Sequence, residues 1–294
     1  MRIEARGVAK RFGRLAALDG VSFEVAPRSR VALAGPNGSG KSTLNRILMG
    51  LLAFEGAVRL DGRCPFRERV AVARGMAYVP QIAPQLGAPV GEVMAAITRV
   101  RALDPDRVAR LAVAFDLDLG ALAPSPFRSL SGGTKQKLLI ALAFAADARL
   151  LILDEPTGSL DTRARERFFE LFDAFAPEAT LVLCSHRLDE IRPLVDHVLL
   201  LHEGRVRYDG PAAAFLAERA LAALDVWVDG ESAAAWLLAR GFRKSPSGAW
   251  RRTATQAEKL TLLAELTRQL GPALRNVNAR DLEAVELAPD GSGR

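Results

Sequence analysis

The run Gly35 to Thr43 (GPNGSGKST) leaves this chain few folds to choose from. It matches GxxxxGK[ST] in full and lies between a short strand pattern, Arg30 to Ala34 (RVALA), and a helical one. Across Lys41 to Leu52, the apolar residues Leu44, Ile47, Leu48 and Leu51 recur at the 3.6-residue helical period. Glycines in the loop let backbone N–H groups curl around phosphate oxygens, and the helix N-terminus favours their negative charge. Lys41 supplies a counter-charge for β- and γ-phosphate oxygens, and Ser42 a hydroxyl for Mg²⁺. The expected nucleotide contacts are Gly35, Pro36, Asn37, Gly38, Ser39, Gly40, Lys41, Ser42 and Thr43. A glycine-rich turn without a ligand needs neither the Lys-Ser pair nor this setting.

The loop alone does not say which nucleotide hydrolase this is; Leu150 to Pro156 (LLILDEP) does. An apolar run ending in Asp-Glu reads as a buried strand that delivers two carboxylates to its C-terminal edge, where α/β proteins bind ligands. Asp154 suits Mg²⁺, directly or through water. Glu155 is placed to polarise an attacking water as general base. An isolated Asp-Glu pair would read as a structural ion-pair feature. Here Leu130 to Lys137 (LSGGTKQK) lies just upstream, and Ser131, Gly132 and Gly133 open a second helix whose N-terminus can meet a phosphate.

Strand and helix patterns alternate through the first two thirds of the chain, with an antiparallel portion at the N-terminus where Ile3 and Ala5, then Val21, Phe23 and Val25, recur at period two. That predicts a mixed, mostly parallel sheet. Gln81 to Leu130 reads as mostly helical. After about residue 216 the order becomes βαββαβ, with helices over Ser232 to Arg240 and Gln256 to Leu270, which is the ferredoxin-like arrangement. Two domains are expected, 1–215 and 216–294, consistent with 294 residues being too long for one ordinary core.

Composition excludes several classes. With 49% hydrophobic and 25% charged residues the chain is globular. The N-terminal MRIEARGVAKRFG has no apolar stretch fit for a signal peptide. The richest apolar run, Leu138 to Ala146, is far shorter than the roughly 20 residues that span a bilayer. A cytoplasmic location is expected, with membrane association only through a partner. The net charge of +6 comes from scattered Arg, with no basic block interleaved with aromatics, so no nucleic-acid partner is expected. Cys64 and Cys184 are too far apart in sequence to form a ligand cluster and are expected to be reduced.

With these motifs in place, roughly residues 1 to 215 resemble the ABC ATPases, a P-loop family with an antiparallel N-terminal β subdomain and a helical signature subdomain. The resemblance implies ATP and Mg²⁺ as ligands and further roles by position. Gln81, in Tyr-Val-Pro-Gln, resembles the Q-loop glutamine that contacts Mg²⁺ and water and senses a transmembrane partner. Ser159-Leu160-Asp161 resembles the D-loop, His186 the switch histidine at the γ-phosphate, and Phe12 the aromatic that stacks on adenine. Thr134 and Lys137 depart from the commonest signature, leaving Ser-Gly-Gly intact.

The resemblance further implies a dimer with a second copy or close paralogue, each ATP sandwiched between one chain's loop and the other's signature. A separate polytopic transmembrane subunit would be engaged through Gln81 to Val100, where Pro84, Leu86, Pro89, Val90, Val93 and Met94 suggest a groove. The C-terminal module resembles that of drug-, polysaccharide- and cofactor-exporting ABC ATPases, some of which serve copper-enzyme maturation, so export is expected. The alternatives are an importer with a regulatory C-terminal domain, or a non-transport ABC ATPase acting on ribosomes or DNA.

Overall fold

A computed structural model of the protein describes residues 1–185, 192–219, 221–245 and 248–281. The N-terminal alternation becomes two long antiparallel strands, β1 (Ile3–Phe12) and β2 (Leu15–Val25), with Ile3 facing Val25 and Ala5 facing Phe23. β3 (Arg30–Ala34), the glycine-rich loop, α1 (Lys41–Leu48) and β4 (Glu55–Leu60) follow. β4 pairs with the free edge of β1, which makes a three-stranded antiparallel sheet.

α1 stops earlier than its apolar period suggested, because Gly50 takes a left-handed φ of 70°. Its N–H meets the Ile47 carbonyl at 2.9 Å, and the Leu51 N–H meets that of Arg46 at 2.8 Å. These bonds close the last turn as a glycine C-terminal cap does. Leu44, Ile47 and Leu48 are buried, whereas Leu51 is turned out.

The middle of the chain holds α2 (Arg69–Arg74), β5 (Met76–Val79), α3 (Val90–Arg101), α4 (Pro105–Ala114) and α5 (Leu119–Leu122). The expected helicity from Gln81 onward begins only at Val90, after a proline-rich stretch without regular structure. α4 starts where the Asp104 carboxylate accepts from the Asp106 N–H with Pro105 at the first position. α6 (Gly132–Ala145) is buried nearly all round. Its Phe144 ring lies 5.8 Å from Phe168 and 5.9 Å from Phe172, both on α7 (Thr162–Phe175). Each fully buried aromatic of this kind contributes about 2–3 kcal/mol.

β6 (Leu150–Asp154), β7 (Thr180–Cys184), β8 (His197–His202) and β9 (Arg205–Pro211) complete a six-stranded sheet in the order β5-β6-β7-β3-β8-β9. β5, β6, β7, β3 and β8 run parallel. Glu203 and Gly204, both at positive φ, make the two-residue turn into β9. One apolar cluster, including Ile3, Val21, Leu33, Ile47, Ile152 and Leu199, joins the two sheets and α1.

The chain contacts divide into two compact units, with one break between Asp209 and Gly210. The described part of the second unit contains α8 (Ala212–Arg219), β10 (Leu221–Val228), α9 (Glu231–Ala239), β11 (Arg243–Lys244), β12 (Trp250–Thr255), α10 (Gln256–Leu270) and β13 (Leu274–Asp281). Its sheet order is β11-β12-β10-β13, antiparallel throughout, the ferredoxin-like topology. Leu224, Val226, Leu237, Phe242, Leu262 and Leu266 form its core. On α10 the buried line runs through Leu262, Leu266 and Leu270, and Leu263 is only half-buried.

Candidate active site

Parallel pairing brings the motif residues to one sheet edge. Leu33 of β3 lies beside Cys184 of β7, Cys184 beside Asp154 of β6, and Leu153 beside Val79 of β5. The loop that begins at Gly35, the acids Asp154 and Glu155, and the segment carrying Gln81 therefore leave the parallel strands β3, β6 and β5 at the same C-terminal edge.

The loop is held from both sides. A side chain on Gly35 (φ 140°) would come within 2.1 Å of the Leu201 carbonyl oxygen, and one on Gly40 (φ 107°) within 2.5 Å of that of Ala17. No other residue type fits either place without displacing backbone. Gly38 (φ 82°) faces open space. Gly204, which the motif reading missed, braces the loop: its N–H donates to the Ser39 carbonyl at 3.1 Å, and its carbonyl accepts from the Asp19 N–H at 2.8 Å. The Lys41 ammonium bends back to the carbonyls of Gly35 (2.5 Å) and Pro36 (3.0 Å). Pro36, Asn37 and Ser42 are exposed, Thr43 is half-buried, and Ser39 is buried with its hydroxyl lacking a hydrogen-bond partner among the described residues.

Asp154 ends β6 half-buried. Burial, reinforced by the neighbouring Glu155 charge, raises its pKa, while Lys41 and Arg46 oppose the shift. Tyr78 on β5, also missed by the motif reading, places its hydroxyl 3.5 Å from Asp154 Oδ2. Burial and then the Asp154 charge push that phenol up to about 12. Tyr78 also lines an apolar cleft of about 360 Å³ with Leu51, Ile97, Arg101 and Leu139. Asn45 of α1 donates to the buried Cys184 sulfur at 2.9 Å, tying the helix after the loop to β7.

Glu155 takes a left-handed φ of 47°, uncommon for a residue with a side chain, and its N–H is fixed by the Cys184 carbonyl at 2.8 Å. The chain then folds through two turns, Gly158 N–H to the Glu155 carbonyl and Leu160 N–H to that of Thr157. Asp161 caps α7, accepting from the Ala164 N–H at 2.8 Å. Ser131 caps α6, accepting from the Thr134 N–H at 3.1 Å. A side chain on Gly133 would approach the Ser159 carbonyl oxygen to 2.9 Å, so the small residues of the signature allow α6 to lie against the 155–161 turns. Lys135 and Gln136 of α6 reach the Arg128 and Pro80 carbonyls at 2.8 and 3.5 Å.

Gln81 is exposed at a bend just past β5. Phe12 is 46% exposed at the end of β1, with the Lys10 ammonium 5.3 Å from its ring centre. His186 lies outside the described residues.

Fold and edge together define a P-loop nucleotide hydrolase with a mixed sheet and an antiparallel N-terminal sheet. The ABC transporter family model matches residues 18–158. A nickel import ATP-binding protein of Rhodobacter capsulatus is 35% identical over 74% of this chain and 92% of its own length. A Nod factor export ATP-binding protein of Paraburkholderia xenovorans is 36% identical over 73% of this chain and 72% of its own. A ribose import ATP-binding protein of Rubrobacter xylanophilus is 36% identical over 71% of this chain, which spans 43% of that relative's length. The solved structure of an ATP binding subunit of an ABC transporter superposes with a TM-score of 0.66 at 27% identity, covering 73% of this chain and 92% of that one. The chain belongs to the ABC transporter family as an ATP-binding subunit, and the family's reaction is ATP hydrolysis.

Proposed function

We propose that the edge built from Gly35–Thr43, Asp154 and Glu155 binds and hydrolyses ATP to drive a separate transmembrane subunit. The observation that carries this is the strand register, which sets Lys41's loop and the two acids at one edge, on parallel strands β3 and β6 with only β7 between them. Loop amides and Lys41 hold the β- and γ-phosphates, and Phe12 stacks on the base. Ser42, Asp154 and Gln81 would hold Mg²⁺, a site of few protein ligands completed by phosphate oxygens, as this ion prefers. Bound there, the ion would neutralise charge developing on the phosphates. Glu155 orients the attacking water and accepts its proton, and His186 contacts the γ-phosphate. Ser131, Gly132, Gly133 and Asp161 serve the nucleotide of a second copy or close paralogue in a sandwich dimer.

The apolar cleft beside Tyr78, with exposed Ile82 and Leu86 on the following segment, supports docking of a polytopic membrane subunit. Val90, Val93 and Met94 instead pack the interior. No helix of the described residues is long and apolar enough to cross a membrane, which fits a location on the inner membrane face through that partner. Residues 216–294 act as an accessory domain. Export rests on the likeness of this module to those of exporters, with the Nod factor export relative in support. The nickel and ribose import relatives favour the importer reading.

Glu155→Gln should retain ATP binding, lower phosphate release by on the order of 10²-fold or more, and trap an ATP-bound dimer on gel filtration. Turnover at the parental rate would remove Glu155 from the role of base.

A further inference from the structure

The geometry points to a phosphate-binding site on the C-terminal unit, on the sheet face between β11 and β12. Leu224, Val226, Ala254, Val277 and Ala279 share one face of that sheet and pack with α9 and α10. Strand alternation puts Asp225, Arg251, Arg243 and Asn278 on the other, and the register aligns them in one row: Arg243 opposite Arg251, Arg251 opposite Asp225, Asp225 opposite Asn278.

Two guanidiniums directly opposite on paired strands repel, and the arrangement costs stability unless an anion lies between them. Asp225, which is buried, is the carboxylate in that row. It is already spoken for: Arg251 grips it through Nε at 2.6 Å and Nη2 at 3.1 Å. That grip holds the Arg251 fork in place, so its remaining N–H groups are pre-oriented for a second acceptor.

Around the pair lies a depression of about 460 Å³, lined by Gly241, Arg243, Lys244, Arg251, Arg252 and Thr253. Glu258 offsets Arg252 at 3.7 Å. Arg243 is exposed and has no acidic partner among the described residues. That unbalanced positive charge, beside the Arg251 fork, matches the negative charge that a phosphate mono- or diester carries near pH 7. Guanidinium forks bind its oxygens in pairs. A free phosphorylated compound and a phospholipid headgroup share this chemistry. The residues that line it all belong to the C-terminal unit.

All three tryptophans (Trp227, Trp236 and Trp250) lie in this unit, so tryptophan emission of the full chain reports it without interference from the glycine-rich loop. Trp250 sits opposite Lys244 and next to Arg251. The full chain is titrated with inorganic phosphate, with chloride at matched ionic strength, and with phosphatidylglycerol or phosphatidylcholine vesicles. A saturable emission change is expected with phosphate, half-saturating at ~10-fold higher concentration in Arg243→Ser, with ATPase activity unchanged. Arg251→Lys, which keeps the charge and loses the fork, should weaken it similarly, and Arg243→Gln serves if either variant fails to fold. A response to phosphatidylglycerol vesicles alone, lost in the same variants, places the phosphate on a lipid. A response matched by chloride, no response to any of these probes, or one unchanged in the variants, overturns the proposal.

Discussion

The Tyr78 hydroxyl stands between the proposed nucleotide edge and the apolar cleft, 3.5 Å from Asp154 and on the wall of the groove. Its phenol holds its proton up to about 12 because burial and the Asp154 charge disfavour the phenolate. The unfolded chain releases that proton near 10. Between the two values the unfolded state binds fewer protons, so the Tyr78 contribution to stability is present below about pH 10 and is lost as pH rises toward 12. Unfolding midpoints measured from pH 9 to 12 should therefore fall less steeply in Tyr78→Phe than in the parent. Equal slopes would mean that the hydroxyl is solvated. Asp154 behaves with the same sign in the acid range, since its raised carboxyl favours the fold while protonated and that contribution is lost as pH rises through its titration.

Among the elements, α10 carries the most complete start signal. Thr255 accepts from the Glu258 N–H at 3.3 Å, and Glu258 returns a bond to the Thr255 N–H at 2.8 Å, which is a capping box. That backbone N–H lowers the Glu258 carboxyl. Its contribution is present above the ordinary carboxylate range and fades as pH falls through the lowered value. Thr255→Ala should cost about 1 kcal/mol and Thr255→Ser much less, read from denaturant midpoints by tryptophan emission so that only this unit is followed. Identical midpoints for all three chains would show the cap to be idle. α6 illustrates the opposite case: its Ser131 cap is local, but it is buried nearly all round, so its stability comes from neighbours such as Phe168 and Phe172 rather than from its own periodicity.

At the scale of the whole molecule, the proposed sandwich makes a demand that one chain alone does not meet. Lys41→Ala removes the phosphate counter-charge and Ser131→Arg blocks the signature, so each variant homodimer should be inactive. Mixed in equal amounts they should recover one intact composite site in each heterodimer, on the order of a quarter of parental phosphate release if the chains pair at random and the two sites are alike. No recovery under conditions where heterodimers are seen by cross-linking would favour sites built within one chain.

Much of this molecule was legible without coordinates, and the reason is distance along the chain. The phosphate loop, the Asp-Glu strand end and the Ser-Gly-Gly cap are contiguous, and each residue's task is set by backbone conformation or by neighbours a turn away. The βαββαβ order and the span of α10 were readable because period and caps are local signals. Only the tertiary structure showed why Gly35 and Gly40 tolerate no side chain, since the obstructing carbonyls belong to Leu201 and Ala17. It also brought Gly204 under the loop, Asn45 to Cys184 across 139 positions, and Tyr78 to Asp154 across 76. Contacts of that separation arise from the strand order β5-β6-β7-β3-β8-β9, which burial of both sheet faces selects and no local pattern encodes. The sequence by itself determined which chemistry the chain carries. The packing decided which backbone atoms enclose it, because close approach depends on neighbours that meet only once the sheet has closed.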